Sequence, residues 1–214
     1  MKRLIESGKR YSGDITIERF CEKFGINMNF DLIFSGFIEA LSDSEIKVSS
    51  INPQQVKKIF SEKKDFSLYI SNKKETFVAK GFIIEFEKDY LIAKIEKTNL
   101  YLDKRRFHRF HFCCKDLGDF IIEKNNNIIS ESACIYEISR TGLGVLNPVI
   151  DSILAGDIIE LSNNVDNIVF KMKVLHVKKA GKYDILGGEI IESNKNLINY
   201  IITKYIKVSE ELIL

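Results

Sequence analysis

The chain has 214 residues, of which 45% are hydrophobic and 29% are charged, proportions typical of a soluble globular protein. A formal net charge of +2 excludes the overall basicity of a general nucleic-acid binder. No apolar run approaches the roughly 20 residues that a membrane-spanning helix requires, and residues 1–7 lack the apolar core of a signal peptide. We therefore expect a cytoplasmic protein, long enough for two small domains.

The first predicted element is a helix near the N-terminus. Asp14 is a suitable capping residue, and Gly25 follows Phe24 at the place where a helix would end. Apolar residues recur between them at helical spacing. The expected buried face consists of Ile17, Phe20, Cys21 and Phe24.

The next seventy residues are predicted to form strands joined by short turns, because apolar segments alternate with clusters of turn residues. The expected strands are 27–34, 37–41, 45–48, 66–70, 76–87 and 90–95. One helix is expected after Asn52, with Pro53 at its first position and Val56 and Phe60 on its apolar face. This order predicts a small β-barrel or sandwich with its own core, followed by a connector over residues 97–104.

A basic run at the end of this connector is the first feature that indicates a ligand. Three arginines and a lysine lie within six residues, and Arg105 and Arg109 have the spacing Arg-x-x-x-Arg. A guanidinium group matches phosphate oxygens and the O6/N7 edge of guanine, and its flat face stacks on a purine. The pair therefore suits a ligand that carries phosphate and guanine, although a solvated basic surface is the alternative.

A second motif lies some thirty residues further on, where Glu137 and Ser139 end a predicted strand and Gly142 follows. A glycine at this place lets a planar base approach the backbone. Further strands are predicted at a spacing that fits a Greek-key or meander barrel. They are 107–114, 118–123, 132–139, 142–147, 157–162, 169–177 and 182–192.

The chain is predicted to end in a helix capped by Ser193 or Asn194. Its apolar stripe would lie on the barrel or meet a partner. The stripe consists of Leu197, Ile198, Ile201, Ile202, Tyr205 and Ile206.

The two motifs together resemble the signature of PilZ domains, the bacterial receptors for cyclic di-GMP. The segment 186–190, with its two glycines, resembles the strand that closes the PilZ barrel. The resemblance implies a mainly β fold, with a C-terminal six-stranded PilZ-type barrel and C-terminal helix over residues 99–214. Residues 1–98 would form a smaller, barrel-like β-rich domain with inserted helices, as in two-barrel spirochaetal members of the family.

The resemblance also implies the ligand and the roles of individual residues. Arg105 would stack on guanine and bond phosphate, and Arg109 would hold the phosphates. Glu137 and Ser139 would contact the second guanine region, and Gly142 would allow the turn. Glu137 departs from the family pattern, which has Asp or Asn there. The remaining residues of the predicted cyclic di-GMP site are Arg106, Arg140 and Gly188.

From this site we predict a receptor and not an enzyme. Cyclic di-GMP would order the arginine segment, fix the placement of the two domains and so signal to a downstream protein partner. One alternative is a nucleic-acid binding module, because the basic run interleaves with Phe107, Phe110 and Phe112. Another is a degenerate PilZ scaffold that binds only protein, for which Glu137 is the supporting feature.

No metal or cofactor is predicted. His108 and His111 would fall on opposite faces of a strand, and His176 is expected to be an ordinary surface histidine. His108 lies inside the arginine motif, where contact with a phosphate is conceivable. The adjacent Cys113 and Cys114 would likewise point to opposite faces of a strand. All four cysteines are expected to be buried free thiols.

Overall fold

The computed structural model describes residues 5–6, 8–71, 76–101 and 109–213. Six strands form a closed barrel in the order β1-β2-β3-β6-β5-β4. They are β1 (Arg10–Cys21), β2 (Ile26–Ala40), β3 (Glu45–Asn52), β4 (Asp65–Ser71), β5 (Thr76–Phe86) and β6 (Tyr90–Tyr101), with helix α1 (Val56–Glu62) before β4. The prediction of strands with one inserted helix is confirmed, although Pro53 precedes the helix and is not its first residue. The two separate strands expected at 27–34 and 37–41 are wrong, because β2 continues through Ser35 and Gly36 and accommodates them with a register shift against β3.

The first barrel is filled by aromatic side chains. Phe34, Phe60 and Phe66 meet edge to face, with ring centroids 5.1 to 5.9 Å apart, an arrangement that favours aromatic contacts beyond simple burial. Leu68 and Leu91 are fully buried beside them.

The predicted N-terminal helix is wrong, because residues 10–21 form strand β1. Tyr11 and Ile15 are buried on the odd-numbered face, whereas Phe20, assigned to the buried face of the helix, is 60% exposed. Alternation with period two therefore prevails over the helical spacing of a few apolar residues. Gly25 does end a turn, with φ of 66°, but the turn joins β1 to β2.

The second sheet also closes on itself. Its strands are β7 (Arg109–His111), β8 (Phe120–Lys124), β9 (Asn127–Ser139), β10 (Gly142–Asn147), β11 (Ile158–Asn163), β12 (Ile168–Lys179) and β13 (Asp184–Ser193). The order is β10-β13-β12-β11-β8-β9, with β9 returning to β10 and β7 added to the edge of β9. The predicted mainly β fold with a six-stranded C-terminal barrel is confirmed, and the segment 186–190 does close it.

The final helix, α3 (Leu197–Ile213), packs on this barrel. Tyr200 contacts Phe170 and donates a hydrogen bond to Asp166 at 3.0 Å, and Lys204 pairs with the same carboxylate at 2.7 Å. The cap is Asn196, whose Oδ1 accepts from the backbone N–H of Asn199 at 3.1 Å, and not Ser193 or Asn194. Half of the predicted stripe is exposed, namely Ile198, Ile202 and Ile206. No described helix is long and apolar enough to cross a membrane.

The predicted strand over 107–114 is cut short. Among its described residues, which start at 109, only Arg109–His111 is strand, and Cys114 begins a short helix, α2 (Cys114–Leu117), which Cys113 caps. Asp116 reaches back to the backbone N–H of Cys113 at 2.7 Å, so the capping interaction ends the strand. Cys113 and Cys114 are therefore both buried and do not point to opposite faces of a strand.

The four cysteines lie in one buried cluster, and the expectation that all are free is wrong. Cys114 and Cys134 form a disulfide, whereas Cys21 and Cys113 are free thiols. The sulfur of Cys21 lies 3.1 Å from that of Cys114. Burial raises the pKa of the Cys113 thiol, which keeps it protonated at neutral pH.

The chain divides into two compact units that are not continuous in sequence. Unit 1 contains residues 1–17, 31–106 and 212–214, and unit 2 contains residues 18–30 and 107–211. The hairpin at 18–30 therefore belongs to unit 2, where Phe24 contacts Tyr183 and Arg19 pairs with Asp116. The sequence-based boundary between residues 98 and 99 remains a prediction.

Candidate functional site

The two predicted motifs meet as neighbouring strands. Strand β7 pairs antiparallel with the end of β9, which places Arg109 opposite Ser139 and His111 opposite Glu137. Residues almost thirty positions apart are thereby brought side by side. Arg105, Arg106 and His108, which the sequence also assigns to this region, lie outside the described residues.

Glu137 is the electrostatic centre of this arrangement. Its Oε1 lies 2.5 Å from Nη1 of Arg109, and its Oε2 lies 3.2 Å from Nε2 of His111. Burial alone would raise the pKa of this carboxyl group. The hydrogen bond with His111 and the charge of Arg109 outweigh burial, so the pKa of Glu137 is lowered. Glu137 is therefore an ionised acceptor at neutral pH.

Arg109 remains accessible although it is paired. Its side chain is 41% exposed, compared with 16% for that of Glu137. A guanidinium group has five N–H donors, and the contact with Glu137 uses Nη1. Arg109 thus keeps donors for an anion.

Ser139 organises the turn between β9 and β10. Its Oγ accepts from the backbone N–H of Gly142 at 3.1 Å and of Thr141 at 3.4 Å, and it lies 3.3 Å from the Gly142 carbonyl oxygen. Such a bond pattern is typical of serine turns. The hydroxyl is buried and engaged by the backbone, so its first role is to hold the turn that presents the motif.

The glycines of the predicted site let strands approach closely. A Cβ on Gly142 would lie 3.0 Å from the carbonyl oxygen of Gly188 on the neighbouring strand. A Cβ on Gly188 would lie 2.5 Å from the carbonyl oxygen of Lys173 and would also strike Met172, a core residue. A side chain at Gly188 would force β12 and β13 apart, whereas one at Gly142 would require a small shift of the neighbouring backbone.

These residues surround one cavity of about 400 Å³ on unit 2. Five of the eight predicted site residues line it, and Arg140 does not. The predicted residues in its wall are Arg109, Glu137, Ser139, Gly142 and Gly188. The volume falls within the usual range of small-molecule sites. The structure thus brings together the described residues of the predicted site with the exception of Arg140.

Several lining residues escape the sequence analysis. They are Tyr136, Thr141, Leu143, Gly144, Leu175, His176, Gly187 and Glu189. Tyr136 and Thr141 are chain neighbours of the motif and were within reach of sequence reasoning. The sequence predicts an ordinary surface histidine at His176, because only the pairing of β12 with β13 brings it to the cavity.

No protein-family model and no curated protein match this sequence. Among solved structures, the chain is similar to the motility inhibitor MotI/DgrA of Bacillus subtilis, with 12% identity, coverage of 95% of this chain and 99% of that chain, and a TM-score of 0.40. It is also similar to YcgR of Escherichia coli in complex with c-di-GMP, with 12% identity, coverage of 94% and 87%, and a TM-score of 0.38.

A third similar structure is PlzA of Borreliella burgdorferi in complex with c-di-GMP, with 11% identity, coverage of 95% and 89%, and a TM-score of 0.34. The chain itself has two closed barrels, the second followed by a C-terminal helix, and Arg109 of the first motif lines the same cavity as Glu137, Ser139 and Gly142 of the second. No group of three or more metal-ligating side chains occurs within the described ranges.

Proposed function

We propose that this protein is a receptor for cyclic di-GMP that binds its ligand at the β7–β9 cavity. The observation that carries the proposal is the register of β7 on β9, which sets Arg109 opposite Ser139 beside an ionised Glu137. The motif resemblance rests on the order of residues in the sequence. The strand register places those residues side by side in one wall of the cavity.

The wall has the chemistry to recognise a guanine base. A carboxylate offers about four acceptor positions, and Glu137 uses one oxygen for Arg109 and the other for His111. Capacity therefore remains for the N–H donors on the edge of guanine, which other bases do not present in the same pattern. In this proposal the extra methylene of glutamate is accommodated because two basic neighbours fix the carboxylate.

The described wall does not have the charge to hold a dianion by itself. It contains one arginine and two glutamates, Arg109, Glu137 and Glu189. Two phosphates would therefore need further cations, since unpaired buried charge is costly. We assign this role to Arg105 and Arg106, and to Arg140, the chain neighbour of Ser139. The ligand would then contact both the arginine segment and the wall of the cavity.

The proposed output is a change in the segment that contains these arginines. Close positive charges repel one another, and a bound dianion would neutralise them and order the arginine segment that leads into Arg109 at the start of β7. If the domains are divided between residues 98 and 99, this segment joins them, and ordering it would fix how the two domains are placed. A protein partner would then recognise the fixed placement. In this proposal the site binds the ligand and does not catalyse a reaction on it.

A nucleic-acid interface is less well supported. In that alternative the phenylalanines of the basic run would stack on bases. Phe112 is 1% exposed, and Phe110 packs edge to face on Tyr205 with centroids 5.3 Å apart. Two of the three aromatic rings are therefore engaged in the protein interior, while Phe107 lies outside the described residues.

The decisive experiment is a calorimetric titration of the full chain with cyclic di-GMP, with GTP as the control nucleotide, together with thermal melts. A ligand that binds only the native state adds about 2.7 kcal/mol of stability at a hundredfold excess over Kd. We expect heat and a melting shift with cyclic di-GMP only. Arg109→Ala and Arg105→Ala should each abolish binding and leave the circular dichroism spectrum unchanged.

Lys178→Ala, which removes an exposed charge on β12 outside the cavity, serves as the matched control and should bind normally. Binding that persists in both arginine variants would refute the site. Absence of heat and shift in the unmodified chain would refute the receptor and favour a scaffold that binds only protein.

A further inference from the structure

Two glycines face each other across the wall of the cavity, and an aromatic ring covers each of them. Gly144 on β10 pairs with Gly187 on β13. A Cβ on Gly144 would lie 2.8 Å from the ring of Tyr136, and a Cβ on Gly187 would lie 2.1 Å from the ring of His176. The rings occupy the space that side chains at these two positions would fill.

Irregularities in the two flanking strands direct the rings inward. Strand β9 shifts register against β10 at Tyr136, which falls between the paired residues Ile135 and Glu137. Strand β12 shifts against β13 at Leu175, immediately before His176. A bulge bends its strand and re-aims the local side chains. Tyr136 and His176 consequently approach the glycine pair from its two opposite sides.

The two rings differ in burial. Tyr136 is half-buried and packs against the cysteine cluster, including Cys134 and Leu146. Burial, followed by the negative charge of Glu137, raises the pKa of Tyr136, so the phenol keeps its proton. His176 is exposed on the other side of the cavity. One ring is therefore anchored in the core, while the other can adjust to a ligand.

We propose that Tyr136 and His176 form an aromatic shelf on which one guanine base of the ligand packs. The shelf rests on the proposed function and deepens it, because it assigns ring contacts that the motif residues do not supply. A base stacked over the glycine pair would keep its edge toward Glu137, the chain neighbour of Tyr136. Stacking on aromatic rings favours a large purine, and Glu137 then selects among purines by hydrogen bonding.

The bare glycine pair is essential to this arrangement. A side chain at Gly144 or Gly187 would displace the adjacent ring away from the sheet and make the cavity shallower. The shelf thus explains why the middle of β10 and β13 has glycine on the cavity side, where neither residue has the positive φ that demands glycine.

Fluorescence tests the stacking directly. The chain contains no tryptophan, so His176→Trp introduces a single reporter at the shelf. Titration with cyclic di-GMP should quench its emission, because the indole and the base would be in contact. Ribose 5-phosphate, which has the phosphate and no base, should leave the emission unchanged. Emission that does not respond while calorimetry records full binding would overturn the proposal.

Affinity provides the second measurement. His176→Ala should weaken cyclic di-GMP about tenfold, at the level expected for one lost ring contact, whereas His176→Phe should retain most of the affinity. Ile191→Ala removes an exposed apolar side chain from the same sheet outside the cavity and should bind like the unmodified chain. A purely structural histidine would not give this order.

The two proposals fail in different ways. If the unmodified chain binds and His176→Ala binds equally well, the shelf is wrong and the receptor stands. If the unmodified chain gives no heat with cyclic di-GMP, the receptor is wrong and the shelf falls with it. Truncation of Tyr136 is avoided because its packing on the cysteine cluster would confuse binding with stability.

Discussion

The two barrels use glycine on opposite faces. In the first barrel, a Cβ on Gly13 would strike Phe34 and a Cβ on Gly81 would lie 2.4 Å from the ring of Phe66, so these glycines make room for the core. In the second barrel, Gly144 and Gly187 make room for Tyr136 and His176 at a cavity. The same residue type serves packing in one barrel and a candidate binding surface in the other.

The comparison teaches that a closed barrel gains a site when part of its wall is left without side chains. Both barrels close with six strands and both have a cavity, so neither closure nor a cavity alone distinguishes the second barrel. Both barrels also contain register shifts, so the difference lies in the paired glycines that Tyr136 and His176 cover. Four predictions test this contrast and the elements that support the second barrel.

The largest expected effect is on the buried ion pair that holds the 18–30 hairpin. Arg19 contacts Asp116 through two bonds of 2.5 and 2.7 Å, and the Asp116 side chain is 1% exposed. Asp116→Ala leaves an unpaired buried arginine and removes the cap of α2. We expect a loss of about 3 to 5 kcal/mol in the free energy of unfolding, measured by urea denaturation.

The control is Lys23→Ala. Lys23 lies on the same hairpin, and its ion pair with Asp119 is more exposed. The substitution should cost less than about 1 kcal/mol. Equal effects of the two variants would contradict a special role for the buried pair.

Reduction of the disulfide is expected to have the next largest effect. Cys114 and Cys134 are separated by 20 residues, and a loop of this size contributes about 3 kcal/mol by restricting the unfolded chain. Hydrogen exchange with and without reductant should show loss of protection in β9 and α2. Protection of β4 and β5 in the first barrel should stay unchanged, and a uniform loss would contradict the assignment.

The glycine contrast itself predicts opposite outcomes for one substitution. Gly81→Ala pushes a methyl group into the ring of buried Phe66 and should cost about 1 to 3 kcal/mol. Gly187→Ala displaces the exposed ring of His176, so its stability cost should be below about 1 kcal/mol. Its cyclic di-GMP affinity, in contrast, should fall.

Melting temperatures and calorimetry measured on both variants separate these effects. Comparable loss of stability in the two variants would show that Gly187 serves the core, as Gly81 does.

The smallest expected effect concerns pH. The folded-state pKa of Glu137 lies below its ordinary value of 4.5, so the ionised form stabilises the fold. That contribution is fully present above pH 4.5 and is lost as pH falls through the lowered folded-state value. Because neighbouring Arg109 is 41% exposed, solvent screening limits the contribution to under about 1 kcal/mol.

Glu137→Gln should therefore flatten the stability profile below pH 4.5, by about this amount. Glu189→Gln is the matched control, since Glu189 is an exposed carboxylate of the same cavity. Identical profiles for Glu137→Gln and the unmodified chain would contradict the lowered pKa.

Local patterns predict most of this fold. Alternation and turn residues identify the strands of both barrels, and the stripe around Ile201 identifies α3. The prediction fails at residues 14–24, where the apolar residues of a strand also fit helical spacing. Pairing with the neighbouring strands decides for the strand, and the sequence alone does not reveal that pairing. It fails again at Cys113, where the bond from Asp116 ends the strand.

The candidate site is predictable to the extent that its residues form short motifs. Arg109, Glu137 and Ser139 are found from spacing, and the structure sets them side by side. His176 is not found, because its position depends on the register of β12 against β13 and on a one-residue shift. The engagement of Glu137 by His111 is likewise a product of strand pairing and leaves no signature in the linear sequence.

The two compact units are not continuous in sequence, and this affects which fragments of the protein can fold separately. Residues 18–30 complete unit 2 although they lie near the start of the sequence. A fragment that begins at residue 99 would contain every motif yet lack the partners of Asp116, Tyr183 and Cys114. Such a fragment would expose the apolar cluster that the 18–30 hairpin covers, so a fragment meant to contain the second barrel must include residues 18–30 as well as 107–211.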